Sequence, residues 1–269
     1  MVERVDLFDS TYSHFTDRVL DAVRKETFGT DIGQNSWVTA DEYECFIAWL
    51  DLSSGHHALE IASGSGGPAL YLARVTGCSV TGMDANKSGA ATASRMAARA
   101  GQAQQVRFAV ADANAVLPFE GNSFDALLCI DSMNHFPDRL EVLREWHRVL
   151  RVGRRAVFTD PVVISGPVTN DELALRSSIG LFLFVPSGLN ERLIEKAGFR
   201  LERQEDVTEN AALIAGRWHR ARDAHKNELI PIEGEGRFAG LQRFFEAVNR
   251  LTSERRLSRI AYLVEKAGR

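Results

Sequence analysis

Between residues 57 and 160 the chain switches repeatedly between two hydrophobic rhythms. Short apolar runs at 57–62, 78–83, 105–110, 124–130 and 156–159 read as strands, with Val106, Phe108 and Val110 alternating and Asn122-Ser123 forming the turn before Phe124. Between them, 66–76, 87–100 and the stretch carrying Leu140, Leu143, Trp146 and Leu150 repeat apolar positions at helical spacing, and Pro137 stands where the last of these can begin. Strands alternating with helices in this way predict an α/β fold with a doubly wound, mostly parallel sheet.

The flanks follow other rules. Val5, Phe8, Tyr12, Phe15 and Val19 recur at helical spacing and predict one amphipathic first helix. Gly29 to Trp37 reads as a loop, and Thr39 with Glu42 has the spacing of a capping box opening a helix to about Asp51. After Asp160 come an insertion (161–186), a helix (188–197) and a strand from Gly198-Phe199 to about Asp206. Residues 208–252 read as mostly helical, and Ile260 to Val264 as a last strand. The expected organisation is an N-terminal helical cap (1–51), a sheet core (52–160), a lid insertion (161–186) and a C-terminal part (187–269). The last part completes a seven-stranded sheet around a second helical insertion, 208–252. Long insertions in compact domains are usually lids or binding walls.

Composition narrows the function classes. A chain of 269 residues can bury a full core, and its net charge of −4 supplies no basic field for nucleic acid or an anionic membrane. Cys45, Cys78 and Cys129 are widely spaced without a C-x-x-C pair, which fits a reducing compartment rather than a disulfide framework or a zinc site. No H-E-x-x-H spacing occurs, so no metal is expected. The start, Met1 to Asp6, carries no apolar signal-peptide region, and the longest apolar run, Ile179 to Pro186, is too short to span a bilayer. The expectation is a soluble cytoplasmic protein; nothing in the sequence sets its oligomeric state.

The candidate chemistry begins at Ala58-Leu59-Glu60-Ile61-Ala62-Ser63-Gly64-Ser65-Gly66-Gly67, a strand running into a glycine-rich turn, with Asp84 ending the next strand. Such an arrangement holds the ribose and adenine of a cofactor at the carboxyl edge of an α/β sheet. Gly64-x-Gly66-x-x-Ala69 also satisfies a dinucleotide fingerprint, but glycine turns are common punctuation. Glu60 discriminates, because a pyrophosphate beside its carboxylate would be repelled, whereas an ammonium and a sulfonium would be attracted. S-adenosylmethionine has both, plus a ribose diol for Asp84.

These motifs resemble the class I S-adenosylmethionine-dependent methyltransferases over roughly 58–160. The resemblance implies a Rossmann-like fold with Glu60, Ala62, Ser63, Gly64 and Gly66 as the cofactor loop and Asp84, Ala85 and Asn86 at the ribose. Asp112 and Ala113 would lie at the adenine, Ile130 at the edge of the fourth strand, and Gln34, Ser36 and Trp37 over the methionine end. Ala62 stands where a first glycine is usual, a mild departure if the backbone there is extended.

The loop Asp131-Ser132-Met133-Asn134-His135 is similar to that of small-molecule methyltransferases, including phosphoethanolamine and sarcosine N-methyltransferases and natural-product sugar O-methyltransferases. In the phosphoethanolamine enzymes an Asp and a His take the places of Asp131 and His135. In the sugar enzymes two consecutive histidines occur, the first replaced here by Asn134, and an Asp at the place of Asp160 assists. His135 is the expected base, since imidazole titrates near neutrality, with Asp131 orienting it or meeting the cofactor's amino group. Tyr12 is a further candidate, because related enzymes close an N-terminal helix over the site with a tyrosine. The Asn/Asp-Pro-Pro-aromatic box of base N-methyltransferases is absent, and Arg217, Arg220 and Arg222 read as a solvated helix face.

Leu181 to Phe184 and Trp218 predict a partly apolar wall, hence a moderately apolar small-molecule acceptor. The expected function is S-adenosylmethionine-dependent methyl transfer to O or N of such a metabolite, in natural-product metabolism. The alternatives are C-methylation with Asp131 doing the proton work, a non-enzymatic cofactor-binding or partner subunit, and, remotely, a nicotinamide-dependent oxidoreductase.

Overall fold

The computed structural model describes residues 8–268. All seven expected strands are present. The chain enters through three cap helices, α1 (Phe8–Ser13), α2 (Arg18–Phe28) and α3 (Ala40–Trp49), and then lays down β1 (His57–Ile61) at the centre of the sheet. It winds outward through α4 (Gly67–Thr76), β2 (Ser79–Asp84), α5 (Lys87–Arg99) and β3 (Val106–Val110). It then returns to the other side of β1 with β4 (Phe124–Cys129), α6 (Arg139–Val149) and β5 (Leu150–Ile164). The strand order therefore reverses between β1 and β4, which opens a crevice at their carboxyl ends. Glu60 and Asp131, far apart in sequence, end strands on either side of it.

Beyond β5 come α7 (Asn170–Arg176), β6 (Val185–Pro186), α8 (Leu189–Lys196), β7 (Arg200–Asp206), α9 (Thr208–Ala224), α10 (Lys226–Glu233), α11 (Glu235–Ser253) and β8 (Leu257–Glu265). β8 inserts antiparallel between β5 and β7, giving the order β3-β2-β1-β4-β5-β8-β7. Apolar cores fill both faces of the sheet, one including Leu59, Trp146 and Phe158, the other Tyr43, Leu72 and Leu128. A third core has no strand in it: Val23 and Trp37 from the cap pack with Trp218, Phe244 and Phe245 of the second helical insertion. The cap and the insertion thus form one roof over the crevice.

Three expectations are corrected. The single first helix is two, because His14-Phe15-Thr16-Asp17 interrupts it; Asp17, in an extended conformation at the N-cap position of α2, turns its carboxylate to His14 instead of capping the helix. Val5 lies outside the described residues. Thr39 does accept from the Glu42 amide, but the Glu42 carboxylate turns inward instead of closing the box. The fifth strand does not stop at Thr159: β-branched Val162 and Val163 carry it on to Ile164, with Pro161 inside the register shift against β8 where a missing N–H is tolerated. β6, two residues long, pairs with this extension.

The inward turn of Glu42 belongs to a buried ion cluster. Arg259 of β8, 0% exposed, donates from Nη1 to both Glu42 oxygens at 2.7 and 2.8 Å and from Nε to Asp131 at 2.6 Å. Removing the cation would leave two carboxylates uncompensated in the interior. Arg259→Met is expected to cost about 3–5 kcal/mol of folding free energy, read as a lower urea midpoint at unchanged slope.

Candidate active site

The glycine turn after β1 needs left-handed backbone at three positions. Ala62 has φ 56, Gly64 φ 52 and Gly66 φ 80. Ala62 is therefore not extended, and its departure from glycine carries strain. The glycines also make room for neighbours: a Cβ on Gly64 would lie 2.8 Å from the Tyr12 hydroxyl, and one on Gly66 would lie 2.6 Å from Ala93 Cβ. Asp84 braces the turn, accepting from the Gly64 amide at 2.8 Å and from the Asn86 amide at 2.7 Å. Asn86 caps α5 through the Gly89 amide.

Two adjoining cavities occupy the crevice. The outer one, about 340 Å³, is lined by Met83, Asp84, Ala85, Asn86, Asp112 and Ala113. One Asp112 oxygen accepts from the amide and side chain of Asn114. The inner cavity, about 120 Å³, lies under the roof and is walled by Glu60, Ser63, Gly64, Ser36, Trp37 and Ile130. Tyr12, Ala62, Ser132 and His135 line both. Tyr12 is buried against the glycine turn, and burial together with the nearby Asp84 charge pushes its phenol far up, so it stays protonated.

Glu60 is the least satisfied group here. It is 4% exposed, Oε2 has no hydrogen-bond partner, and the other oxygen accepts from the Tyr43 hydroxyl at a long 3.5 Å, with the Ala69 amide as a further weak influence. Burial pushes its carboxyl up to about 8. Ser63 Oγ beside it is likewise unpaired.

His135 sits in a 3₁₀ turn (Met133–His135) directly after β4. Its Nδ1–H donates to the Leu181 carbonyl at 2.9 Å, so Nε2 carries the lone pair and accepts from the Asn134 side-chain amide at 3.3 Å, a bond that an acceptor's proton would replace. Phe8 and Phe182 pack edge-on against the imidazole. Burial lowers its pKa below the ordinary value, so the ring is neutral at pH 7.

Other expected site residues are occupied elsewhere. Asp131 lines the inner cavity, but its oxygens are taken by Arg259, by the Trp37 amide at 2.8 Å and by the Thr159 hydroxyl at 2.8 Å. It positions the loop and is not free to act as a base or to orient His135. Asp160, 0% exposed, pairs with Arg139 and accepts from Asn190 at 2.8 Å, outside the walls of both cavities. Gln34 is buried as a loop brace, accepting from the Ile32 amide, and does not reach the cavity wall.

Two arginines were missed by sequence reasoning. Arg222, expected on a solvated face with exposed Arg220 and half-buried Arg217, is 3% exposed, pairs with Glu233 at 2.6 Å and lines the inner cavity. Its spacing of four from Trp218 was the available signal, since i and i+4 share a helix face. Arg176, at the end of α7, lines the same cavity at 1% exposure. Nothing local in the sequence distinguishes it from an ordinary helix-terminal arginine. Among the described residues no group of three His, Cys, Asp or Glu is placed to hold a metal, and no helix is long and apolar enough to cross a membrane.

Comparison with known proteins agrees with this geometry. Residues 59–158 match a family model described as a methyltransferase domain. Methyltransferase GfsG of Streptomyces halstedii is 37% identical over 166 residues, covering 60% of this chain and 58% of that protein. The 27-O-demethylrifamycin SV methyltransferase of Amycolatopsis mediterranei (strain S699) is 32% identical over 163 residues, 60% of each chain. The chain thus spans under two thirds of the length of these relatives. A phosphoethanolamine N-methyltransferase 2 of Haemonchus contortus, solved with phosphomonomethylethanolamine and S-adenosylhomocysteine, superposes with a TM-score of 0.81 at 20% identity, over 97% of this chain and 60% of that one. That likeness is one of fold. The resemblance read from the motifs is borne out: 59–158 match the methyltransferase domain model, and the chain shares the fold of a solved methyltransferase.

Two substitutions test the strain and the charge in the glycine turn. Ala62→Gly relieves a left-handed backbone and is expected to raise Tm by ~2–4 °C, the equivalent of about 1 kcal/mol. A carboxyl raised to about 8 in the fold binds more protons folded than unfolded between about pH 4.5 and 8, so its contribution to stability is full below that window and lost as pH rises through it. Glu60→Gln should therefore flatten the fall of Tm between pH 5 and 8, by at most ~1.4 kcal/mol per pH unit.

Proposed function

We propose that the chain, carrying its methyltransferase domain at 59–158, is an enzyme that transfers a methyl group from S-adenosylmethionine to an oxygen or nitrogen of a small, moderately apolar metabolite. The observation that carries this reading is His135: a neutral imidazole whose ring lines both cavities, the outer one with Asp84 and the inner one with Glu60 and the aromatic roof.

The residues present fit S-adenosylmethionine. Glu60 Oε2, buried and unpartnered, suits the cofactor's ammonium end, and Asp84 keeps lone pairs for a ribose diol beside Met83 and Ala113 in the outer cavity. The Glu60 carboxyl, raised to about 8 by burial, would ionise beside the cofactor's ammonium and pair with it, whereas a pyrophosphate there would hold it protonated and gain no ion pair, which argues against a nicotinamide dinucleotide. When bound, S-adenosylmethionine supplies a methyl group made electrophilic by a sulfonium.

Catalysis by this chain then rests on three acts. His135 Nε2 takes the proton of an acceptor hydroxyl as its oxygen attacks, or that of an ammonium before the freed nitrogen lone pair attacks, the methyl's bond to sulfur breaking in exchange, while the Leu181 carbonyl holds Nδ1–H and so fixes the tautomer. Tyr12 and Phe8 of α1 close the crevice over the glycine turn and exclude water. Trp37, Phe182 and Trp218 hold the apolar body of the acceptor so that its nucleophile stays at near-attack distance. The C-methylation alternative loses the base it was assigned, because Asp131 is committed to Arg259.

The named reaction of the rifamycin relative favours oxygen acceptors and a place in natural-product biosynthesis. Cys45, Cys78 and Cys129 are free thiols, which fits a cytoplasmic location.

Calorimetric titration of ligand-stripped protein tests the cofactor. Micromolar binding of S-adenosylmethionine and S-adenosylhomocysteine, none of NAD, and a ~10–100-fold loss in Asp84→Ala are expected. Binding of NAD alone would reverse the assignment. With any acceptor found by screening, His135→Ala should lower kcat by ~10²–10⁴-fold while S-adenosylhomocysteine affinity stays unchanged.

A further inference from the structure

Five arginines are buried among the described residues, and four of them have carboxylate partners. Arg24 pairs with Asp31, Arg139 with Asp160, Arg222 with Glu233, and Arg259 with Glu42 and Asp131. Arg176 is the exception. It is 1% exposed, forms no ion pair among the described residues, and its Nε and Nη1 are buried without a hydrogen-bond partner.

The rings around it explain how the chain tolerates this cation and what they leave undone. The guanidinium carbon lies 4.8 Å from the Phe182 ring centre, 5.2 Å from that of Phe244 and 5.7 Å from that of Trp37. Aromatic faces attract the positive charge but accept no hydrogen bonds in the guanidinium plane, where its donors point. The missing partner is therefore an anion that accepts N–H bonds in the guanidinium plane between the rings, and a carboxylate is the flat anion that suits that slot. Burial draws the pKa down to about 9, so the group is still charged at neutral pH.

Position decides whose carboxylate it is. Asp131 and Asp160, which act most strongly on Arg176, lie at the β4 and β5 ends of the crevice, and both already serve other arginines. Arg176 in turn acts on His135, the proposed base. It lines the inner cavity with the aromatic roof and is not part of the outer cavity that holds Asp84 and Asp112. We propose that Arg176 anchors a carboxylate of the methyl acceptor, so that the substrate class is an apolar or aromatic carboxylic acid methylated at a second, nucleophilic position. This rests on the reading of the inner cavity as the acceptor site.

The proposal makes the guanidinium an uncompensated cost in the ligand-free protein, and that gives a readout independent of turnover. Arg176→Met should raise Tm without ligand, and Arg176→Gln should keep the fold by far-ultraviolet circular dichroism. Phenylacetate and 3-phenylpropionate, their primary amides, and phenyl phosphate would be titrated calorimetrically into wild type and both variants, with and without saturating S-adenosylhomocysteine. In wild type each acid should bind at least ~10-fold more tightly than its amide, the scale of one charge-assisted pair. Both variants should bring the acid down to the level of the amide and leave S-adenosylhomocysteine affinity unchanged.

Equal binding of acid and amide in wild type, or no Arg176-dependent binding of any acid up to tens of millimolar, overturns the proposal. A preference for phenyl phosphate over the acids overturns the carboxylate assignment. A loss of S-adenosylhomocysteine affinity in Arg176→Gln, with methylthioadenosine (which lacks the amino-acid end) unaffected, would hand the guanidinium to the cofactor. If wild type binds neither cofactor form yet prefers acids through Arg176, the methyl-transfer reading fails and the carboxylate site stands.

Discussion

Arg259 holds the crevice together. Its guanidinium lies between Glu42 of α3 and Asp131 at the end of β4, so one side chain of the last strand joins the first cap and the loop that carries His135. Asp131 is held at φ 55, a backbone that costs energy in any residue but glycine, and its carboxylate also takes the Trp37 amide and the Thr159 hydroxyl. The cluster therefore sets where Trp37 enters the roof and where the 3₁₀ turn lifts His135 over the outer cavity. A buried ion cluster is a poor source of net stability, since desolvation offsets most of the attraction. Its value here is in fixing the relative placement of three elements that no strand pairing connects.

Satisfied and unsatisfied polar groups divide the crevice by role. Asp131, Asp160, Arg139 and Arg222 each have an ion-pair partner inside the chain and serve the framework, although Nε of both arginines is left unpaired. Glu60, Ser63 and Arg176 have buried atoms that nothing in the chain satisfies, and all three line the inner cavity. Proteins rarely bury polar atoms without partners, so such atoms facing a cavity mark where a ligand completes the bonding. The Glu60 carboxyl beside the glycine turn and the Arg176 guanidinium under the roof thus both face the inner cavity, which the neutral His135 ring also lines.

The sheet core was legible in the chain because strand and helix periods are local properties. The ends of the first four strands, the glycine turn, Asp84 and the His135 loop were readable from spacing within a few residues. Local reading failed where a polar residue had a distant partner. Asp160 looked like a base after a strand and is a partner of Arg139; Gln34 looked like a cofactor contact and braces its own loop. Arg222 looked solvated because its charge was counted and the Trp218 face it shares was not.

The order of hydrophobic and polar residues by itself determined the alternation of strands and helices of a doubly wound sheet, and so put Glu60, Asp84 and His135 at or just beyond the carboxyl ends of strands. Backbone hydrogen bonding and side-chain period act over a few residues and leave little freedom once the pattern is set. Which carboxylate is bound and which is free, and which arginine lacks a partner, was decided only by the tertiary structure. Pairing energies depend on distances between segments up to 217 residues apart, as Glu42 is from Arg259, and on burial that no single segment possesses.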